Sequence, residues 1–213
     1  LSNNSSKDKK NYISKLKLHG IETSENRIIL STDVTIKHLL SAGLTKGYVV
    51  GTKSMINYLS EKGIEHTFDK AEFVLIGYDT ELTYDKLEKA SILIYSGIPY
   101  FATHSDYFCP TPKGPIPDTG SMIKMMECVT NSTPQIFGKP EREMLEYLLE
   151  EKFNISDYVF IGDRLHTDFK MSKSIGMDFI CVLSGETKRE DIEDLQVWPN
   201  LIVNSVRDLI NIV

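Results

Sequence analysis

A run of β-branched and aromatic residues, Tyr158-Val159-Phe160-Ile161, breaks into Gly162-Asp163-Arg164-Leu165-His166-Thr167-Asp168. No other stretch constrains the fold as tightly. A strand closed by Gly-Asp, with a second aspartate five residues on, sets two carboxylates at the C-terminal edge of a sheet. Open α/β sheets bind their ligands at that edge. Hard oxygen ligands there suit Mg²⁺, which is usually held by one or two carboxylates together with substrate phosphate. A lone Gly-Asp reads equally as a capping residue on a strand-to-helix loop, and two further elements shift the balance.

The first is Ile136-Phe137-Gly138-Lys139-Pro140. Pro140 reads as the first position of a helix, where its missing N–H costs nothing. Glu141 and Glu143 suit the positive end of that helix, and Met144, Leu145, Leu148 and Leu149 supply its apolar face. Lys139 then sits at a strand end, where an ammonium neutralises a phosphate or an acyl-phosphate. It is no P-loop, since no glycine-rich run precedes it and no Ser/Thr follows. The second element is Leu1-Ser2-Asn3-Asn4-Ser5-Ser6, ahead of a helical stretch with Tyr12, Ile13, Leu16 and Leu18. Hydroxyl and amide side chains at a helix N-terminus make either an anion cradle or plain caps.

Helical and strand patterns alternate along the chain, which is the signature of parallel α/β layers. Strands are expected near Gly47–Val50, Phe73–Gly77, Tyr100–Thr103, Gln135–Phe137, Tyr158–Gly162, Phe179–Leu183 and Leu201–Val203. Helices are expected near Lys7–Leu18, Thr35–Ser41, Lys53–Lys62, Tyr84–Tyr95, Ser121–Thr130, Glu141–Lys152 and Val206–Ile212. Thr83 is a candidate N-cap, and Gly43, Gly63, Gly97 and Gly176 sit where helix C-termini need a left-handed residue. The net charge of -6 is mixed along the chain with no basic stripe, which argues against a nucleic-acid partner. No apolar stretch approaches the roughly 18–20 residues that span a membrane. Cys109, Cys128 and Cys181 are odd in number and not spaced for zinc or a disulfide framework. Cys128 and Cys181 read as core thiols, and a reducing cytoplasm is the natural compartment.

Taken in order, the hydroxyl–helix element, the Lys-Pro element and the Gly-Asp-Arg-x-x-Thr-Asp string resemble the haloacid dehalogenase (HAD) superfamily of phosphotransferases, in its NagD-like, para-nitrophenylphosphatase-like branch. Ser2 matches the second family motif, usually Thr-Asn-Asn-Ser; Lys139 matches the third; Asp163 and Asp168 match the fourth. The likeness covers essentially the whole chain, including Gly77-Tyr78-Asp79, Leu82-Thr83-Tyr84-Asp85-Lys86-Leu87, Ala102-Thr103-His104-Ser105-Asp106 and Pro117-Asp118-Thr119-Gly120-Ser121.

The resemblance implies an α/β fold: a HAD-like Rossmannoid parallel-sheet core carrying an inserted α/β cap. The core is expected over residues 1–37 and 134–213 and the cap over 38–133, with Cys109–Pro117 its most irregular part. The implied activity is Mg²⁺-dependent hydrolysis of small phosphate monoesters, of the sugar phosphate, nucleotide or para-nitrophenyl phosphate type, through an aspartyl-phosphate. Asp163 is the implied metal ligand. Lys139, with the hydroxyl and N–H groups of Ser2 and Asn3, meets the phosphoryl charge, and Asp168 orients ligands or Lys139. In the cap, His104, Asp106 and Cys109 are expected to read the substrate, and relatives imply a homodimer through the cap.

No D-x-D-G-T motif, the family's nucleophile, occurs in the sequence. Leu1 reads as the last residue of a strand, so the chain is expected to begin inside the fold, after a strand–loop–helix unit of about 30 or more residues. Ser2 replaces the usual Thr and keeps the hydroxyl. His104 stands where Asn or Asp is common, Asp118 replaces a frequent Gly, and Cys109 lies where some relatives place a substrate-contacting His. Three other readings compete. A response-regulator receiver has no acidic motif after its lysine and ends soon after it, whereas 73 residues follow Pro140. A catalytically inactive phosphate-ligand-binding homologue would carry a substituted nucleophile motif. A purely structural domain would use these charges only as caps.

Overall fold

The computed structural model describes residues 1–149 and 154–211. They form two compact units, Leu1–Gly138 and Lys139–Val213.

In the first unit, Ser2 makes a parallel bridge to Leu30, donating its N–H to the Ile29 carbonyl and accepting from the Ser31 N–H, both at 2.9 Å. Helix α1 (Lys9–Leu18) is capped by Asp8, which accepts from the Asn11 N–H at 2.8 Å. The Ser2–Ser6 run is therefore a loop and not the cap of that helix. Helix α2 (Ser31–Ser41) starts four residues before the expected Thr35. Thr32, Val34 and Thr35 are β-branched and weak helix formers, but Asp33 accepts the Leu30 N–H at 2.8 Å and closes the turn. The Asp33 carboxylate is buried against the Tyr58 hydroxyl at 2.5 Å and Lys9 at 3.1 Å.

The remaining elements of this unit are β1 (Lys46–Val50), α3 (Lys53–Glu61), β2 (Glu65–His66), β3 (Phe73–Ile76), α4 (Tyr84–Tyr95), β4 (Tyr100–Ala102), β5 (Phe108–Cys109), β6 (Ile116–Pro117), α5 (Thr119–Thr130) and β7 (Gln135–Ile136). Strands pair in the order β2-β1-β3-β4-β7, every pair parallel. All four residues of β3 are buried, as a strand covered on both faces requires. One face packs Tyr48, Val50, Val74 and Ile76 against Ala90 and Ile94 of α4 and Met122 and Met126 of α5. On the other, Phe101 lies edge-on to Phe73, with Phe137 beside it and the His38 ring 4.7 Å from Phe137. Thr83 caps α4 through the Lys86 N–H, and Gly43, Gly63, Gly97 and Gly176 are left-handed as the sequence requires.

The second unit comprises α6 (Glu143–Leu149), β8 (Val159–Gly162), a π-helical turn over Leu165–Phe169, α7 (Lys170–Ser174), β9 (Asp178–Val182), α8 (Arg189–Glu193) and β10 (Leu201–Val203). Its sheet, β10-β9-β8, is again parallel. Phe169, Phe179, Cys181 and Ile192 form its core, flanked by Phe160 and Leu165. Pro140 does not open α6: the Lys139–Pro140 peptide is cis, residues 139–142 form a turn, and the helix starts at Glu143. The last part of the expected Glu141–Lys152 helix, from residue 150, lies outside the described residues, as does Ile212 at the end of the expected Val206–Ile212 helix. Val206–Asn211 is a 3-10 helix. Cys181 is a core thiol as expected, whereas Cys128 is exposed on α5. Among the described residues, no helix is long and apolar enough to cross a membrane.

His66, in the edge strand β2, ties the sheet to solution pH. The Val49 N–H donates to its Nδ1 at 3.1 Å, which requires that nitrogen unprotonated. Burial, aided by the charges of Lys86 and Lys89, holds the imidazole below its ordinary 6.5. The unfolded chain then binds more protons below pH 6.5, so this contribution to stability is full above that pH and is lost as pH falls through the folded value. Stability measured by equilibrium unfolding should therefore fall on acidification below pH 6.5 more steeply than in His66→Gln. Parallel pH profiles for the two proteins would remove His66 from the account.

Candidate active site

In the second unit the three charged residues singled out by sequence meet one sheet edge. β8 delivers Gly162 and Asp163 at its C-terminal end. The following turn closes through an N–H of Phe169 on the Arg164 carbonyl at 3.1 Å, and this π geometry, often found at functional sites, carries Asp168 back toward the strand. Asp168 packs so closely on Gly162 that a Cβ there would lie 2.5 Å from its Oδ2. Its Oδ1 accepts from Lys139 Nζ at 2.6 Å, with the two side chains only 13% and 5% exposed. Lys139 is thus an enclosed, paired cation rather than a surface lysine, and its ammonium lies 6.0 Å from the Phe160 ring centroid.

Asp163 is held from β9's side of the edge. Its Oδ2 accepts the Glu186 N–H at 2.9 Å and its carbonyl the Thr187 N–H at 3.0 Å. Gly185 makes this approach possible, since a Cβ there would stand 1.9 Å from Asp163 Oδ2. Arg164 Nε pairs with Glu186 Oε2 at 2.8 Å, fastening the same loop to the turn. Burial pushes the Cys181 thiol up, and the charges of Asp163 and Asp168 push it further.

In the first unit, Ser2 Oγ is 2.8 Å from the Tyr12 hydroxyl and accepts the Asn4 N–H at 3.2 Å. Asn3 is buried; its Nδ2 donates to Asp106 Oδ2 at 3.2 Å and its carbonyl accepts from Ser31 Oγ at 2.8 Å. His104 is wholly enclosed. Its Nε2 lies 2.9 Å from Asp118 Oδ1 and its Nδ1 2.9 Å from Thr103 Oγ1, so its ring does not face a ligand. Cys109 is half-exposed in the β5–β6 hairpin. The sequence reading missed Tyr12 as partner of Ser2, the Gly185–Glu186 cradle of Asp163, and Asp118 as partner of His104. A signal existed for the last: both residues depart from the family pattern.

Comparison with known proteins gives the family of the chain. The family description "Haloacid dehalogenase-like hydrolase" matches residues 1–65 and "HAD-hydrolase-like" matches residues 136–209. The chain is 28% identical over 212 residues to the 5'-nucleotidase YutF of Bacillus subtilis (strain 168), covering 99% of this chain and 83% of that protein. It is 30% identical over 212 residues to the dihydroxyacetone phosphatase of Corynebacterium glutamicum (strain R), covering 98% and 77%. The crystal structure of a 4-nitrophenylphosphatase from Thermotoga maritima superposes with a TM-score of 0.94 at 32% identity, over 99% of this chain and 82% of that one.

Removing one member of an enclosed ion pair leaves an uncompensated charge, which typically costs about 3–5 kcal/mol. Lys139→Ala and Asp168→Ala should each destabilise the protein by about 3 kcal/mol. The double variant should lose less than the sum, by on the order of 1–3 kcal/mol. Denaturant titration of the four proteins measures this coupling; strictly additive losses would mean that the two groups do not support each other.

Proposed function

Because the chain belongs to the haloacid dehalogenase-like hydrolases, as a phosphatase of the NagD-like, para-nitrophenylphosphatase-like branch, we propose that it hydrolyses small phosphate monoesters of the sugar phosphate, nucleotide or para-nitrophenyl type with Mg²⁺. The observation that carries this reading is the enclosed Lys139–Asp168 pair on the sheet edge that presents Asp163. An ammonium fixed by a carboxylate is a preorganised charge, which stabilises a transferring phosphoryl group without reorganising during the reaction.

Each residue has a distinct part in the proposal. Lys139 donates to a phosphoryl oxygen, and Asp168 aims it. In the first unit we assign phosphate binding to Ser2, whose hydroxyl lies 2.8 Å from that of Tyr12, and to the N–H of Asn3. Asp163 holds the metal. A half-buried carboxylate, anchored through one oxygen by the Glu186 N–H, is a hard donor of the kind Mg²⁺ takes. When bound, Mg²⁺ would neutralise charge on the phosphate. The family's aspartate nucleophile motif is not among these 213 residues, so the residues present supply binding, charge compensation and orientation. We assign residues 38–133 to the cap and residues 1–37 and 134–213 to the core. Within the cap, Asp106 and Cys109 read the leaving group. A homodimer through the cap would use the groove of about 540 Å³ beside Tyr84, Leu87, Met125 and Val129.

A preparation that carries a D-x-D motif ahead of Leu1 should hydrolyse para-nitrophenyl phosphate, lose that activity on exhaustive chelation and regain it with Mg²⁺. Asp163→Asn should raise the Mg²⁺ concentration needed, and Asp168→Asn should do so less, by about 10–100-fold in affinity or activity. Undiminished turnover after chelation would discard the metal assignment. Tight binding of phosphate esters without turnover would favour the inactive binding homologue.

A further inference from the structure

We propose that the buried His104–Asp118 pair is a positioning device that fixes the Asp106 carboxylate and thereby sets which leaving group the protein prefers. This rests on the phosphatase reading above.

The pair links two elements that the chain separates. His104 follows the end of β4 and Asp118 is the N-cap of α5. His104 is 0% exposed and Asp118 5%. A carboxylate only accepts, so Nε2 carries the proton it shares with Asp118 Oδ1 at 2.9 Å. That same oxygen accepts the Thr119 N–H at 2.6 Å and the Thr119 hydroxyl at 3.1 Å. On its other side Nδ1 lies 2.9 Å from Thr103 Oγ1, which is itself 3.0 Å from Ser5 Oγ. Ser5 Oγ in turn accepts the Tyr78 N–H at 2.8 Å. The imidazole therefore bolts the first turn of α5 to the loops beyond β3 and β4.

That first turn grips the segment bearing Asp106. The Gly120 N–H donates to the Asp106 carbonyl at 2.8 Å and the Asp118 N–H to the Tyr107 carbonyl at 3.0 Å. Ser121 Oγ donates to the same Tyr107 carbonyl at 2.6 Å. Gly120 sits so close that a Cβ would stand 2.4 Å from the Ser105 carbonyl oxygen. The Asp106 side chain, half-buried where His104 is enclosed, is steadied by Asn3 Nδ2. His104 thus has no route to a ligand except through this chain of contacts, and its effect on selectivity is exerted on Asp106. The carboxylates of Asp106 and Asp118 and the His104 ring bring donor atoms within 4.8 Å of one another. Nε2, though, spends its proton on Asp118 and has no lone pair left for a metal, so hydrogen bonding accounts for the cluster.

A carboxylate selects leaving groups that bring hydrogen-bond donors, and a hydrogen bond to a charged group is worth about tenfold or more. The test compares kcat and KM for a hexose phosphate and for para-nitrophenyl phosphate, whose leaving group offers no hydroxyl donor. In a preparation that carries a D-x-D motif ahead of Leu1, Asp106→Asn, His104→Gln and Asp118→Asn should each lower the kcat/KM ratio of hexose phosphate to nitrophenyl ester by about tenfold, mainly through KM. In the Asp106→Asn background, His104→Gln should change that ratio no further. An unchanged ratio in the single variants, an equal loss on both esters, or full additivity with Asp106→Asn would overturn the proposal. Should His104→Gln fail to fold by circular dichroism, Asp118→Asn carries the same comparison, and collapse of both would show a purely structural pair. If the parent protein turns over neither ester, it is the phosphatase reading that fails, and this proposal falls with it.

Discussion

Parallel pairing is the constraint on which both units depend. When every strand runs the same way, all C-terminal ends emerge at one edge, and the loops that leave them crowd together whatever their distance in sequence. In the second unit this sets the Gly185–Glu186 loop after β9 against Asp163 after β8. In the first it sets Thr103 and His104 after β4 beside Tyr78 after β3 and the Ser5 hydroxyl. The crowding explains the glycines: Gly162 and Gly185 stand where a methyl group would strike Asp168 and Asp163. Crossover helices must cover both faces of such a sheet, and the uninterrupted apolar run of β3 is the sequence expression of that cover.

Crowded edges bury polar groups, and these units bury their charges in pairs. Asp79 with Lys86, Asp33 with Lys9 and Asp168 with Lys139 are all within 3.1 Å of their partners, and Asp118 is hydrogen-bonded to the His104 ring. Desolvation offsets much of the Coulombic gain in such pairs, so they are weak evidence for stability. Their geometric consequence is firmer, because a paired and hydrogen-bonded charge has one orientation. Lys139 shows what that changes. Read as an exposed strand-end lysine it would be free to sample many rotamers; paired at 2.6 Å and enclosed beside Phe160, it presents a fixed ammonium.

Elements with a strong apolar period or a clear cap were legible from sequence. Helix α4 has its expected bounds, Tyr84–Tyr95, because Thr83 caps it and Gly97 stops it. The parallel α/β class followed from alternation of strands and helices. What was not legible depended on distant partners. The start of α2 rests on Asp33, whose side chain closes the first turn against the propensity of its β-branched neighbours. The two-residue strands β2, β5 and β6 are too short for any periodicity. Pro140 suggested a helix start by its fixed φ, but the turn at 139–142 holds the chain out of the helix until Glu143. Charged residues of the candidate site could be picked out by type and spacing, and it was the family resemblance, not the spacing, that offered Asp168 as a partner of Lys139, 29 residues away.

His104 and Asp118 illustrate how such pairing alters the meaning of a residue. Each alone is an oddity against the family pattern: an imidazole where an amide is common, a carboxylate where glycine is frequent. A buried histidine without a partner and a carboxylate at a tight turn would each be costly. Together they remove each other's cost, because the Asp118 carboxylate caps α5 and receives the imidazole proton with the same oxygen. The neighbouring hairpin is held differently, by a local turn in which Thr111 and Gly114 exchange backbone hydrogen bonds at 3.2 and 3.0 Å. Cys109 sits on that hairpin, which packs on α5 with its thiol against Tyr78, and Asp106 is held to the same helix by the Gly120 N–H on its carbonyl.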